Sequence, residues 1–270
     1  MKYAFMSSSA PEASLDQLLA MADDWGYAGI EPRIEWGHGH GVEPTASAAE
    51  RDAIRSTVDG SSVELCCVAT GCTLAEPSTA KAEREKAALC IDLAADVGCG
   101  GLRVFGGNFD DSVDRAAAAA TLVESLKSLA DQAAARGVTL LLETHDAWTN
   151  PEAVADVVER VGRDTVGVLW DVLHPMRVDG WSIEAAFQTL KPWVRHVHIH
   201  DATLARDRLD FRPIGEGEID HKRIVELLHG DGFDGFLSGE WINWQPPAEH
   251  LPREVRTLRR YEAELGIAAG

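Results

Sequence analysis

Residues 138–201 read VTLLLETHDAWTNPEAVADVVERVGRDTVGVLWDVLHPMRVDGWSIEAAFQTLKPWVRHVHIHD. Three short apolar runs stand out in this stretch: 138–145 (VTLLLETH), 166–172 (VGVLWDV) and 194–201 (VRHVHIHD). Between them lie helical patterns over roughly 151–161 and 183–190. Asn150 before Pro151 is an N-cap followed by a first-turn proline, and Gly162 is a helix stop. Strand-sized runs alternating with helices predict parallel strands joined by helical crossovers. The same alternation extends in both directions. Upstream runs lie at 2–6, 29–33, 63–69 and 101–106, and one more lies downstream at 235–241. Helical patterns fill 14–24, 47–59, 78–97, 112–135, 220–229 and 249–264. Ser47 and Glu50 have capping-box spacing, and Gly26, Gly60, Gly98 and Gly137 close further helices. Eight strands alternating with eight helices predict an α/β fold, a (β/α)8 TIM barrel forming a single domain over 1–270. A doubly wound sheet is the alternative, but no G-x-G-x-x-G follows the first strand.

Composition is that of an ordinary globular chain. Of 270 residues, 45% are hydrophobic and 26% charged, which excludes a disordered chain. No apolar run approaches the ~20 residues of a membrane span, and the N-terminal apolar stretch is too short for a signal peptide. A cytoplasmic protein with no membrane partner is expected. The net charge of −19 disfavours nucleic acid as a partner. Five cysteines, Cys66, Cys67, Cys72, Cys90 and Cys99, form no C-x-x-C pair and read as free thiols.

The longer irregular stretches, 34–46, 70–77, 146–150 and 202–219, each follow a strand. In a barrel they lie at the C-terminal face, where active sites sit. The last four strands end in chemistry-bearing residues: Glu143, Asp171, His198 and Glu240. They are 28, 27 and 42 residues apart, against about 34 for one βα unit. Alternation along the strands points Glu143, Asp171 and His198 inward, with His196 and His200 on the same parity as His198. Three carboxylates and an imidazole at one mouth would repel one another unless a divalent cation held them. The donor set suits one Mn2+, Mg2+ or Co2+ ion, and Zn2+ is also admissible. The bland alternatives are a Glu143 salt bridge to Arg103 and a buried core role for His196.

The stretches LLLETH, GVLWDVLHP, HVHIHD, PIGEGEID and GEW resemble the xylose isomerase-like TIM barrels. That sugar phosphate isomerase/epimerase group also contains endonuclease IV, and the resemblance covers essentially the whole chain. It implies a barrel and metal-assisted sugar chemistry. It implies that Glu143, Asp171, His198 and Glu240 are the metal ligands. It further implies substrate contacts from His174, three residues after the strand-six Asp, and from Arg212 before the G-E-G turn. One position departs: ketose 3-epimerases carry a second Glu six residues after the strand-five ligand, and here Thr149 stands there.

His145 and His200 near the mouth, and Trp148 and His40 on mouth loops, complete the candidate substrate contacts. His38, Trp36 and Trp244 also fall on mouth loops. With Glu143 and Glu240 on opposite sides of a substrate, one carboxylate could take a proton beside a carbonyl and the other return it through an enediolate. The expected activity is isomerisation or epimerisation of a small sugar, ketose or keto acid. The runner-up is a lyase or hydratase acting on an oxidised sugar such as a 3-keto-glycoside or inosose. An endonuclease IV-like phosphodiesterase lacks its extra histidines here, since strands three and four lead into Ala69-Thr70-Gly71 and Gly106-Gly107-Asn108. A non-catalytic sugar-binding barrel is the remaining alternative. A small sugar or keto-sugar is the expected partner, and barrels of this group often form homo-oligomers.

Overall fold

The apolar runs become parallel strands: Lys2–Met6, Gly29–Glu31, Gly101–Phe105, Thr139–Glu143, Val166–Asp171, Val194–Ile199 and Phe236–Gly239. The third position is split between Glu64–Leu65 and Val68–Thr73, so nine strands fill eight barrel positions. The computed structural model describes residues 1–110 and 112–268. Phe236–Gly239 pairs with both Lys2–Met6 and Val194–Ile199. The split segment closes the ring on the other side. Glu64–Leu65 pairs with Gly29–Glu31, and Val68–Thr73 pairs with Gly101–Phe105. Between them Cys66 N donates to Ile30 O at 3.0 Å and Ala69 N to Pro32 O at 2.9 Å. The chain therefore stays against strand two while it changes partner. The single run expected over 63–69 extends to Thr73 and is broken at Cys66–Cys67.

Helix boundaries follow their local chemistry. Pro151–Val161 and Ile183–Leu190 coincide with the sequence pattern, and Asn150 Oδ1 accepts from the Glu152 and Ala153 amides. Ser47 and Glu50 form the expected reciprocal capping box, as do Ser14 and Gln17. Gly26, Gly137 and Gly162 end their helices with φ of 82°, 68° and 60°, whereas Gly60 ends its helix at −83°. Two elements go beyond the sequence pattern. A short helix, Leu173–Asp179, begins two residues after Asp171, with Val172 as its N-cap. Asp201–Ala202 and Phe211–Arg212 form an antiparallel ribbon over the barrel mouth.

The buried Asp201 carboxylate fixes the G-E-G turn by accepting from the amides of Gly215 (2.8 Å), Gly217 (3.0 Å) and Ile219 (3.2 Å). A Cβ at Gly217 would run into that carboxylate, so glycine is required there.

Strand parity sorts the two sides of the barrel wall. Leu140, Leu142, Val168, Trp170, Val197 and Ile199 belong to the large core under the helices. Trp170 packs on Phe187 of the Ile183–Leu190 helix, with centroids 5.7 Å apart. Cys67, Leu141 and Leu169 form a separate small apolar floor inside the barrel. Above it the interior turns polar: Glu31, Arg103, Glu143, Asp171, His198 and Glu240 are all buried. All five cysteines are free. Among the described residues no helix is long and apolar enough to cross a membrane.

Candidate functional site

Glu143, Asp171, His198 and Glu240 come from strand positions five to eight. Each presents one ligand atom, and these atoms lie within 4.8 Å of one another. The register explains their common height: Asp171 pairs with His198, while Glu143 pairs with Leu169, two residues below Asp171. That stagger is the tilt of a barrel strand.

His198 organises the cluster. Its Nε2 faces Glu31 Oε1 at 3.1 Å and Oε2 at 3.2 Å, so that nitrogen carries the proton and donates. Its Nδ1 lies 3.3 Å from both Glu143 Oε1 and Glu240 Oε2. A divalent ion placed among these oxygens would displace the Nδ1 proton and take up its lone pair. Asp171 supplies the next oxygen. Its Oδ1 accepts from the Leu173 and His174 amides and starts the short helix, while the buried Oδ2 has no hydrogen-bond partner. His200 donates from Nδ1 to Glu240 O at 3.1 Å, and its buried, unpartnered Nε2 lies 3.6 Å from Asp171 Oδ2. These orphaned atoms and the oxygen-rich donor set fit a divalent ion.

Charge within the barrel is balanced closely. Burial alone would raise the Glu143 carboxyl, but Arg103 and His198 hold it below the usual range. Burial would likewise raise Glu240, which His198 and Arg103 push down instead. Burial would lower His198, and Glu31, Glu240 and Glu143 outweigh it and push the imidazole well above its ordinary value. In effect the imidazolium answers the same field that a metal ion would. The Arg103 bridge weighed as the alternative for Glu143 is present at 3.0 Å, alongside the acid–histidine cluster. Arg103 also donates to Thr70 O at 2.9 Å.

A pocket of about 330 Å³ opens above the cluster. His145, His174, His200 and Glu240 line it together with Arg33, Trp36, Phe105 and Phe211. His174 Nε2 lies 3.8 Å from Asp171 Oδ2, and burial keeps its imidazole below the ordinary pKa. His145 pairs with Asp146 at 3.0 Å; burial would lower it, but Asp146 and Glu143 raise it to about 9.

Other expected contacts are placed elsewhere. Arg212 pairs with Asp210 at 2.7 Å outside the pocket lining, and Phe211, its neighbour on the ribbon, faces inward instead. Trp148 is buried in the core against Phe109 and Arg115. His40 is buried, donating to Arg33 O and accepting from the Val42 amide. His38 bonds Ser7 Oγ at 2.9 Å. His196 takes the core role read for it and bonds Glu31 Oε2 at 3.0 Å. Trp244 packs on Trp241 and His250. The sequence pattern does not flag Glu31 or Arg33 as site residues. Glu31 nonetheless carries the same signal as Glu143, an acid ending a short strand.

A parallel barrel with an acid–histidine cluster at its strand ends defines a class of α/β barrels with a candidate metal site. The family model described as xylose isomerase-like TIM barrel matches residues 19–261, and the chain belongs to that family. It is similar to a putative hydroxypyruvate isomerase of Mus musculus, 26% identical over 179 residues and 62% of each chain. The chain thus spans less than two thirds of that relative. It is also similar to the 3'-dehydrocarminate deglycosidase alpha subunit of a Microbacterium species, 28% identical over 120 residues, 43% of this chain and 30% of that one. Among solved structures, D-psicose 3-epimerase with D-tagatose from Clostridium cellulolyticum H10 superposes with a TM-score of 0.80 at 18% identity, covering 99% and 100% of the two chains. That likeness is one of fold.

Proposed function

We propose that this chain is a divalent-metal-dependent isomerase or epimerase of a small sugar, ketose or keto acid. The observation that carries the reading is the placement of Glu143 and Glu240, each 3.3 Å from His198 Nδ1, beneath a pocket lined by His174 and His200. Glu143, Asp171, His198 and Glu240 would hold the ion, with Mn2+, Mg2+ or Co2+ favoured by the donor set and Zn2+ also accommodated. When bound there, the ion would supply Lewis-acid polarisation of a substrate carbonyl. Glu240 lines the pocket, whereas Glu143 is fully buried. One carboxylate takes the proton from the carbon beside the carbonyl, and the C–H electron pair moves into an enediolate. The other delivers a proton to the opposite face, giving an epimer, or a proton returns to the neighbouring carbon, giving an isomer. His174 and His200 hold the substrate oxygens. The hydroxypyruvate isomerase relative supports this reaction class.

A second reading, elimination from an oxidised glycoside, is favoured by the deglycosidase relative. It begins with the same proton abstraction but expels a leaving group. A proton-NMR screen of ketoses, keto acids and 3-keto-glycosides in D2O, with Mn2+ added, tests both. Deuterium entering the carbon beside the carbonyl, with conversion to an isomer, supports the first. Release of water or an aglycone selects the second. No exchange in any class refutes both.

A further inference from the structure

Arg33 stands at the pocket wall with nothing to bind. Its guanidinium lines the pocket with Glu240, His174 and His200, yet its side chain makes no hydrogen bond or ion pair among the described residues. Nε is buried and unpartnered. Of the acids on its own loop, Glu35 pairs with Lys86 at 2.7 Å and Glu43 Oε2 accepts the Glu35 amide at 2.8 Å, and neither bonds the Arg33 side chain. Across the pocket, Asp146 pairs with His145. Arg103 nearby repels Arg33, while Glu240 and Glu143 attract it from a distance without a hydrogen bond.

The residue is nevertheless held rigidly. Its amide donates to Ser7 Oγ at 2.9 Å, its carbonyl accepts from His40 Nε2 at 3.1 Å, and its backbone bridges to Ala69. The guanidinium lies over the Trp36 ring, 3.8 Å from its centroid, while Trp36 itself is 60% exposed. A stacked, immobilised guanidinium loses little freedom on binding, and its fork of donors matches a planar or tetrahedral oxyanion.

We infer that Arg33 binds the anionic end of the substrate, and that the substrate is an acidic sugar derivative, a keto acid or a sugar phosphate, rather than a neutral sugar. The inference rests on the isomerase or epimerase reading for the other end of the same molecule. In this arrangement the reacting carbonyl lies toward His174 and Glu240, and a carboxylate or phosphate reaches the pocket side of the Arg33 guanidinium. His40, expected from sequence to touch substrate, instead fixes the arginine that does.

The test is calorimetric titration of Mn2+-loaded parent, Arg33→Gln and Arg33→Lys proteins with two matched pairs: D-erythronate against erythritol, and D-ribulose 5-phosphate against D-ribulose. At least one anion should bind the parent at least about 10-fold more tightly than its neutral partner. Arg33→Gln should weaken that anion by roughly 10- to 100-fold and leave the neutral partner unchanged, and Arg33→Lys should recover part of the loss. The pair that responds identifies the oxyanion. Two results overturn the inference: a parent with no preference for either anion, whatever the variants do, or a preference that survives intact in Arg33→Gln, which would assign it to the metal. Deuterium exchange in D-ribulose 5-phosphate and D-ribulose, the two probes that carry a ketone, reports separately on the reaction. Arg33-dependent binding of D-ribulose 5-phosphate with no exchange in either would defeat the isomerase reading alone, and exchange without Arg33 dependence would defeat this inference alone.

Discussion

Glu31 grips His198 from the far side of the imidazole, with Oε1 3.1 Å from Nε2, so that Nδ1 is the nitrogen presented to Glu143 and Glu240. The same carboxylate takes His196 at 3.0 Å. Burial would raise Glu31, but His198 and His196 hold its carboxyl well below the usual range. A charged acceptor behind a ligating histidine fixes its tautomer and raises its basicity.

Glu31→Ala should therefore weaken Mn2+ binding by about 10- to 100-fold. Glu31→Gln keeps an acceptor oxygen and should lose less. Titration of chelator-treated protein with Mn2+ measures both. Parent-like affinity in Glu31→Ala would remove Glu31 from the centre.

Much of the barrel and its four-residue cluster could be read from the chain because the signals are periodic. Strand parity placed Glu143, Asp171 and His198 inward, and the spacing of one βα unit placed them at one height. The break at Cys66–Cys67 left no mark, since both residues are small and apolar and suit either side of the wall. The Leu173–Asp179 helix is too short to show a period, and it starts because Asp171 Oδ1 accepts its first amides. Arg212 shows the limit of motif matching. It sits on a two-residue strand whose direction is set by pairing with Asp201–Ala202, and that pairing sends Phe211 into the pocket. His40 and Trp148 lie on the expected loops, but their rings are taken up by the Arg33 carbonyl and by the core.

The ligand assignment itself predicts about one divalent ion per chain. Asp171→Asn and His198→Ala should each lose most of it in elemental analysis after desalting. Full occupancy in both would refute the cluster as the metal site.

Acid should destabilise the fold through His250. Its ring lies edge-on against both Trp241 and Trp244, neither nitrogen has a partner, and burial lowers its pKa to about 4. The folded state refuses a proton that the unfolded chain accepts below about 6.5. Stability is thus fully present above pH 6.5 and falls as pH drops toward 4, by at most about 1.4 kcal/mol per unit. Urea midpoints measured from pH 7 to 4.5 should fall less steeply in His250→Phe than in the parent. Equal slopes would show that the ring is not kept neutral.

A chain carrying −19 should not cleave abasic DNA at a useful rate. Metal-dependent cleavage lost in Glu143→Gln would instead promote the nuclease alternative.

The sharpest separation is between holding metal and moving protons. Glu240 lines the pocket, and its carboxylate is kept ionised by His198 and Arg103 against the effect of burial. An ionised carboxylate facing substrate is ready to accept a proton. Glu240→Gln retains an oxygen that can still ligate weakly but cannot act as a base. Net turnover, measured at saturating Mn2+ with occupancy checked, should fall by roughly 10²- to 10⁴-fold. Exchange of substrate hydrogen with D2O should persist if Glu143 removes the proton, and should vanish if Glu240 does. His174→Ala should keep the metal while weakening both kcat and kcat/KM, because its ring lines the pocket and lies outside the ligand cluster. Parent-like turnover by metal-loaded Glu240→Gln would reduce Glu240 to a ligand and leave Glu143 as a single base working on one face of the substrate.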